Sequence, residues 1–146
     1  MIYIGIDPGQ NGGYAFISDG GAETYAWDDV EFLVEMEEVF ESGQKAVAVV
    51  EKVGAMHGQG VTSMFKFGKS AGFIEGVLRA YNIPFQLVPP KTWKKEFSLG
   101  SDKAQSIAVC KRLFPKVNLL RTDKCRKEHD GMAEALLMAE YGRRKF

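Results

Sequence analysis

The sequence predicts one α/β domain that begins with an antiparallel meander and continues with strands joined through helices. Three short apolar segments separated by turn sequences fill the first 27 residues, which is typical of a meander. Two more apolar segments follow, among stretches in which the apolar residues have helical spacing. The 146 residues, 45% of them apolar and 12% aromatic, are enough for one core and exclude a disordered chain.

The predicted meander has strands at residues 2–6, 14–17 and 22–27. Its first strand is rich in isoleucine and ends at Asp7-Pro8-Gly9, a sequence that favours a turn. A helix is predicted over residues 29–42, with Asp28 or Asp29 as its N-terminal cap. The apolar residues expected on its inner face are Val30, Leu33, Val34, Met36 and Phe40.

The rest of the chain is predicted to form strands at 46–50 and 85–88 and helices over about 61–82, 91–96, 102–114 and 129–142. Residues 54–60 are glycine-rich and predict an irregular loop. The helix at 61–82 carries Gly68, Gly72 and Gly76. Such glycines weaken a helix, but they permit close approach either to another helix or to the protein's own sheet.

Charge is unevenly distributed along a chain whose net charge is zero. Residues 1–60 carry a net charge of −9 and residues 61–146 one of +9. This favours a polyanion-binding half, although solvated helix faces of different charge would give the same balance. No stretch resembles a membrane span or a signal peptide, and Cys110 and Cys125 form neither a disulfide framework nor a CxxC site. We therefore expect a cytoplasmic protein with reduced thiols, Cys110 lying on the buried side of a helix.

Acidic residues stand where two predicted strands end and where the last helix begins. Asp7 ends the first strand and Glu51 follows the fourth, so neighbouring strands would bring both to one sheet edge. Asp130 and Glu134 lie four apart on one face of the last helix. Clustered carboxylates without cysteine or paired histidine favour Mg²⁺ or Mn²⁺ over zinc. Taken singly, however, Asp7 could be a turn residue, Asp130 a cap and Glu134 a solvated side chain.

Four segments resemble the RuvC family of Holliday-junction resolvases, within the RNase H-like superfamily. Together they span nearly the whole chain, in the family's order. They are Ile4-Gly5-Ile6-Asp7-Pro8-Gly9, Val49-Val50-Glu51-Lys52-Val53, the basic stretch from Val88 to Gln105, and His129-Asp130-Gly131-Met132-Ala133-Glu134-Ala135-Leu136-Leu137. The first segment alone is weakly specific, because actin-like and sugar-kinase folds begin similarly, but the four together are specific.

The resemblance implies a single RNase H-like nuclease domain over residues 1–146, with a five-stranded mixed sheet flanked by helices. It also implies a homodimer that nicks four-way DNA junctions with two Mg²⁺ ions per active site, for which Mn²⁺ would substitute. The modest length suggests the phage-type branch, which would place the protein in a host's cytoplasm.

The resemblance assigns metal binding and catalysis to four acids. Asp7 and Glu51 match the family's first two ligands. The third block departs from the family's two acids three apart in a D-x-x-D-A-L frame, because Gly131 occupies one of those positions. Asp130, one residue earlier, and Glu134 are spaced four apart, as in the mitochondrial branch. His129 could assist near the scissile phosphate or simply begin the helix.

Basic residues around one tryptophan are the predicted DNA contacts. The candidates are Lys91, Trp93, Lys94, Lys95 and Lys103. The resemblance implies two more, Met56 and His57, because they lie in the 54–60 loop, where the family carries residues that enter the junction centre. Lysines of this kind bind phosphates rather than bases. The basic tail at 143–145 would contact DNA or stabilise the end of the last helix.

The sequence alone leaves other functions open. An RNase H-like nuclease could instead cut flaps, replication forks or RNA–DNA hybrids. A non-catalytic module that binds branched DNA is a second alternative. In such a module the repulsion among four clustered acids would cost stability without serving metal binding. A phosphotransferase is disfavoured, because the chain has no room for a second nucleotide-binding lobe.

Overall fold

Five strands form one mixed sheet with the spatial order β3-β2-β1-β4-β5. The computed structural model describes residues 1–54, 58 and 60–146. Its strands are β1 (Ile2–Asp7), β2 (Gly13–Ser18), β3 (Gly21–Ala26), β4 (Ala46–Glu51) and β5 (Phe85–Val88). Short turns join β1, β2 and β3, which therefore pair antiparallel. Helical crossovers precede β4 and β5, so that β4 pairs parallel with both β1 and β5. The predicted α/β class and mixed sheet are confirmed.

The helices flank the sheet on both faces. They are α1 (Asp29–Glu41), α2 (Val61–Ala80), α3 (Pro90–Glu96), α4 (Lys103–Leu113) and α5 (Asp130–Lys145). Alternate residues of the strands point to opposite faces. On one face, Ile4, Ile6 and Val50 pack with α1 and α2; on the other, Val49 and Val88 pack with α3, α4 and α5. None of the described helices has the length and apolar character needed to span a bilayer.

Helix α1 begins as predicted but buries a different face. The Asp28 side chain accepts hydrogen bonds from the backbone N–H groups of Val30 and Glu31 and so caps the helix. Phe32, Met36 and Val39 form its buried stripe. Of the five residues expected inside, only Met36 is fully buried; Val30, Leu33, Val34 and Phe40 are exposed. The large Phe32 ring fills the core beside Tyr14, which fixes the helix in this rotation.

Helix α2 is mostly exposed along its first three turns, and only Ile74 and Leu78 are buried. A Cβ atom added at Gly68, Gly72 or Gly76 would meet no atom within 4 Å among the described residues. These glycines therefore do not serve packing against the protein's own sheet, which was one of the two interpretations of their spacing.

Helix α5 lies directly against the sheet because glycines remove the side chains between them. A Cβ at Gly5 in β1 would overlap the backbone of Ala135 and Ala139. A Cβ at Gly131, in the first turn of α5, would overlap the backbone of the Asn11–Gly12 turn. The Thr24 hydroxyl in β3 donates to the Met132 carbonyl oxygen at 2.8 Å. Together these contacts fix the start of α5 against the end of β1.

Candidate active site

The sheet brings Asp7 and Glu51 to one edge, as predicted. In the parallel pair of β1 and β4, Ile6 lies opposite Val50. Asp7 and Glu51 are the next residue of each strand, so both carboxylates emerge at the carboxyl ends of adjacent strands. Asp7 is half-buried, and Glu51 is also half-buried. This edge is the usual place for ligand-binding residues in open α/β sheets.

Helix α5 adds Asp130 and Glu134 to the same region. Its cap is His129, whose Nδ1 accepts a hydrogen bond from the Met132 backbone N–H at 3.1 Å. An Nδ1 that accepts cannot also carry a proton, and burial lowers the pKa of His129, which agrees with a neutral ring. Asp130 is partly exposed, whereas Glu134, one turn further, is 7% exposed. The structure therefore uses His129 to begin the helix that carries both acids.

Charge repulsion among the four acids is visible in Asp7. Burial raises the pKa of its carboxyl well above the ordinary value, and the charges of Glu51, Glu134 and Asp130 raise it further. The nearby Lys103 ammonium only partly offsets these effects. A site of this kind stabilises either a proton or an added cation, because both reduce the same excess of negative charge.

Two lysines predicted as DNA contacts form ion pairs with these acids. Lys94 Nζ lies 3.7 Å from Glu134 Oε1, and Lys103 Nζ lies 3.1 Å from Asp130 Oδ2. The buried Ser106 hydroxyl in α4 is a further partner of Glu134, at 3.3 Å from Oε1. Ser106 is not an ionisable or basic residue, so no sequence signal pointed to it. Helices α3 and α4 thus partly neutralise the acids of α5.

The donor set fits a hard divalent cation, because it consists of carboxylate oxygens from Asp7, Glu51, Asp130 and Glu134 without thiolate or imidazole. Among residues 1–54, 58 and 60–146, however, no three Asp, Glu, His or Cys side chains are arranged to hold a metal ion. Two of the four acids are instead oriented toward lysines. A bound cation would compete with the Lys94 and Lys103 ammonium groups for these two acids.

Trp93 has a different place from the one that the sequence suggested. Its side chain is 0% exposed and lies in the core beneath α3. A fully enclosed ring has no exposed face on which a base could stack, so its burial favours a core position for Trp93 over the predicted DNA contact. The indole Nε1–H instead donates to Glu51 Oε2 at 2.8 Å. Burial raises the pKa of Glu51, and this hydrogen bond acts in the opposite direction.

The other predicted DNA contacts have mixed outcomes. Lys91 and Lys95 are exposed on α3. Met56 and His57 lie outside the described residues. The basic tail is anchored within the chain rather than free: Arg143 and Arg144 pair with the buried Glu140, and Lys145 pairs with Glu96. These ion pairs support the structural interpretation of the tail.

A second basic segment was missed in the sequence. Arg121, Lys124, Arg126 and Lys127 are exposed in the connection between α4 and α5. Within the described parts of the chain, none of the four forms an ion pair with a carboxylate. The Arg121 charge acts on His129, which places the segment beside the start of α5. The density of basic residues was the available signal, but no aromatic or proline pattern drew attention to it.

The buried placement of Cys110, on the inner side of a helix, is confirmed. Cys110 is fully buried in α4, and burial raises the pKa of its thiol to about 12. Cys125 is half-buried, and both thiols are free.

Comparisons with known proteins identify the fold. No protein-family model and no curated protein sequence matches the chain. Among solved structures, Thermus thermophilus RuvC in complex with a Holliday junction substrate is similar, with a TM-score of 0.67 and 16% identity over 99% of this chain and 97% of that one. Another T. thermophilus RuvC structure has a TM-score of 0.57 and 16% identity over 99% and 96% of the two chains. The chain therefore has the RNase H-like fold of RuvC.

Proposed function

We propose that the protein is a Mg²⁺-dependent, structure-selective endonuclease that nicks Holliday junctions and related branched DNA. The observation that carries the proposal is the convergence of four carboxylates, from β1, β4 and α5, at one edge of the sheet. The likeness to a RuvC structure that contains a Holliday junction supports branched DNA as the substrate. A purely structural role would not explain why a fold should tolerate this repulsion.

In this proposal Asp7, Glu51, Asp130 and Glu134 would hold the metal. When bound, two Mg²⁺ ions would supply an activated water and neutralise charge at the phosphate undergoing hydrolysis. The four carboxylates fix where that positive charge sits. Exposed lysines on α3 hold the DNA backbone in place. Lys94 and Lys103, once released from Glu134 and Asp130, are close enough to the acids to pair with the same phosphate region.

The deciding experiment incubates the purified protein with labelled DNA substrates in the presence of Mg²⁺, Mn²⁺ or a chelator. The substrates are a four-way junction, a flap, a fork, an RNA–DNA hybrid and a linear duplex. We expect paired symmetric nicks in the junction that require either metal ion. Equal cutting of forks, flaps or hybrids would replace the proposal with a general RNase H-like nuclease. Metal-independent binding to junctions without cleavage would identify a non-catalytic branched-DNA-binding module.

Symmetric nicking also calls for a homodimer, because two sites related by a two-fold axis match the two strands of a junction. We place the dimer interface on helix α2, where Val61 is 80% exposed and Phe65 is 70% exposed. Among the described residues, no atom lies within 4 Å of a Cβ added at Gly68, Gly72 or Gly76. Sedimentation at micromolar concentration should show a dimer, and Phe65→Glu should dissociate it. Val30→Glu, at an exposed apolar residue of α1, serves as the matched control. A wild-type monomer, both alone and with junction, would contradict the assignment.

Phosphate binding by Lys91 and Lys95 predicts a specific salt dependence. Each Lys→Ala change should weaken binding to all branched substrates by a similar factor. Each should also reduce the slope of log K against log salt by about 0.9 on duplex arms. Lys45→Ala is the matched control, because Lys45 is exposed just before β4, at the opposite end of the sheet from Glu51. Unchanged affinity and slope in the double variant would place the DNA-binding surface elsewhere, with the 121–127 segment as the next candidate.

A further inference from the structure

We infer that Trp93 is a positioning residue that holds Glu51 in the orientation needed for metal binding. The inference rests on the proposed function and concerns one contact. The Trp93 Nε1–H group donates to Glu51 Oε2 at 2.8 Å, and the two residues lie 42 positions apart, on α3 and β4. The contact therefore joins two separate elements of the fold at the proposed site.

The side chains of Trp93 and Glu51 differ greatly in conformational freedom. The indole is fully buried among residues of the core that includes Val49, Val88 and Phe97. Its orientation is fixed by packing on all sides. Glu51 is a half-buried residue at the end of a strand. Its side chain has more rotatable bonds than that of Trp93. The rigid donor therefore determines where the flexible carboxylate points.

The hydrogen bond occupies only one of the two carboxylate oxygens. Among the described contacts Oε2 is the acceptor, and no hydrogen bond to Oε1 is seen. One oxygen is thus held in place, while the other has no hydrogen-bond partner among the described residues. Partners that orient a metal-binding carboxylate in this way commonly change metal affinity or activity by about 10–100-fold when they are removed.

The next residue of α3 acts on a second acid. Lys94 lies against the Trp93 ring, with its Nζ 5.5 Å from the ring centroid, and reaches Glu134. Helix α3 thereby contacts acids from both β4 and α5. Each contact uses one carboxylate oxygen, but the Lys94 ammonium carries a positive charge that repels a metal ion, whereas the neutral indole does not.

A matched pair of substitutions separates positioning from simple packing. Trp27 also donates its indole N–H to a carboxylate, Asp29 Oδ1 at 2.7 Å, but near the start of α1. Trp93→Phe and Trp27→Phe therefore remove the same kind of bond at two places. In single-turnover assays we expect Trp93→Phe to cleave junctions about 10–100-fold more slowly. It should also need more Mg²⁺ for half-maximal rate, and bind junction normally in chelator. Trp27→Phe should match the wild type in cleavage rate, in the Mg²⁺ concentration for half-maximal rate and in junction binding.

Cleavage by Trp93→Phe at the wild-type rate and with the wild-type Mg²⁺ requirement would overturn the inference. Loss of thermal stability without either change would mean that Trp93 serves packing alone. If Trp93→Phe does not fold, NMR of ¹⁵N-labelled protein decides the question, with Trp27→Phe used to assign the two indole signals. We expect Glu51→Ala to shift the Trp93 Nε1–H resonance and to leave that of Trp27 unchanged. An unmoved Trp93 signal would overturn the inference.

Failure of the proposed function has a different signature. If the wild type cleaves none of the DNA substrates, the nuclease assignment fails. The NMR comparison still reports whether Trp93 holds Glu51, because it requires neither substrate nor turnover. If cleavage is found but does not depend on Trp93, only the positioning role is lost.

Discussion

Asp7→Asn is expected to abolish junction cleavage while leaving junction binding intact. The substitution keeps the size of the side chain but removes a charged ligand at the centre of the four acids. Metal-assisted catalysis supplies several kcal/mol of transition-state stabilisation. The loss of ~4 kcal/mol corresponds to a rate decrease on the order of a thousandfold. Binding should persist because lysines away from Asp7, such as the exposed Lys91 and Lys95, supply the affinity.

Asp7→Asn should also make the metal-free protein more stable. The folded-state pKa of Asp7 is raised by burial and by neighbouring acids, so its ionised form costs stability above the unfolded pKa, near 3.8. The wild type should therefore lose stability relative to Asp7→Asn as pH rises from that value through the folded pKa, and the difference should persist at neutral pH. Added Mg²⁺ should narrow the difference, because ligand binding stabilises the folded wild type.

Cleavage rates, junction affinity in chelator and thermal unfolding across pH provide the measurements. Glu51→Gln should likewise abolish cleavage and preserve binding. Asp19→Asn, at an exposed acid in the turn between β2 and β3, is the control and should behave as the wild type. Near-normal cleavage by Asp7→Asn or Glu51→Gln would refute the site. An activity loss accompanied by a lower melting temperature would point to damaged folding instead.

The strand ends that carry Asp7 and Glu51 were predictable because they depend on short-range patterns. Each acid comes at the end of a continuous apolar segment. The cap at Asp28 likewise follows from a local rule about helix N-termini. The pairing of β1 with β4, which places the two acids side by side, joins distant segments, so it entered the sequence prediction only as a condition and the structure supplies it.

The rest of the site depends on contacts between distant elements. A tryptophan between lysines is compatible with DNA stacking or with burial, and only the packing of α3 on the core shows that Trp93 is enclosed. Similarly, α1 is apolar around much of its circumference, so periodicity could not tell that Phe32 rather than Leu33 faces inward. The hydrogen bond between Ser106 and Glu134 joins α4 to α5, and the sequence around either residue contains no pattern that predicts it.

The spacing of the acids in α5 has a physical explanation at Gly131. The RuvC family that the sequence resembles has two acids three apart, and that spacing would place a carboxylate at position 131. Here a Cβ atom would overlap backbone atoms of Asn11 and Gly12, which cannot rotate away as a flexible side chain could. The chain therefore requires glycine at 131, and Asp130 supplies the acid from the adjacent position.

Gly131→Asp, which would create the three-residue spacing of the RuvC family that the sequence resembles, should consequently destabilise the protein instead of improving the site. Overpacking against backbone costs roughly 1–3 kcal/mol and occasionally more. Gly131→Ala isolates the steric effect from added charge. In an open helix this change would gain about 1 kcal/mol, so a lower melting temperature can only reflect the overlap. Both variants should also lose cleavage, because the start of α5 must move away from Asp7.

Thermal unfolding should be compared with Gly60→Asp as the matched control, and junction cleavage should be compared with the wild type. Gly60 is the N-terminal cap of α2, has ordinary backbone angles, and would place a Cβ more than 4 Å from any non-neighbouring atom of the described residues. Aspartate is a favourable cap, so this variant should be neutral or more stable. Suppose instead that Gly131→Asp folds with wild-type stability and cleaves normally. The start of α5 would then have room for a side chain, and the spacing of Asp130 and Glu134 would need another cause than the contact with the Asn11–Gly12 turn.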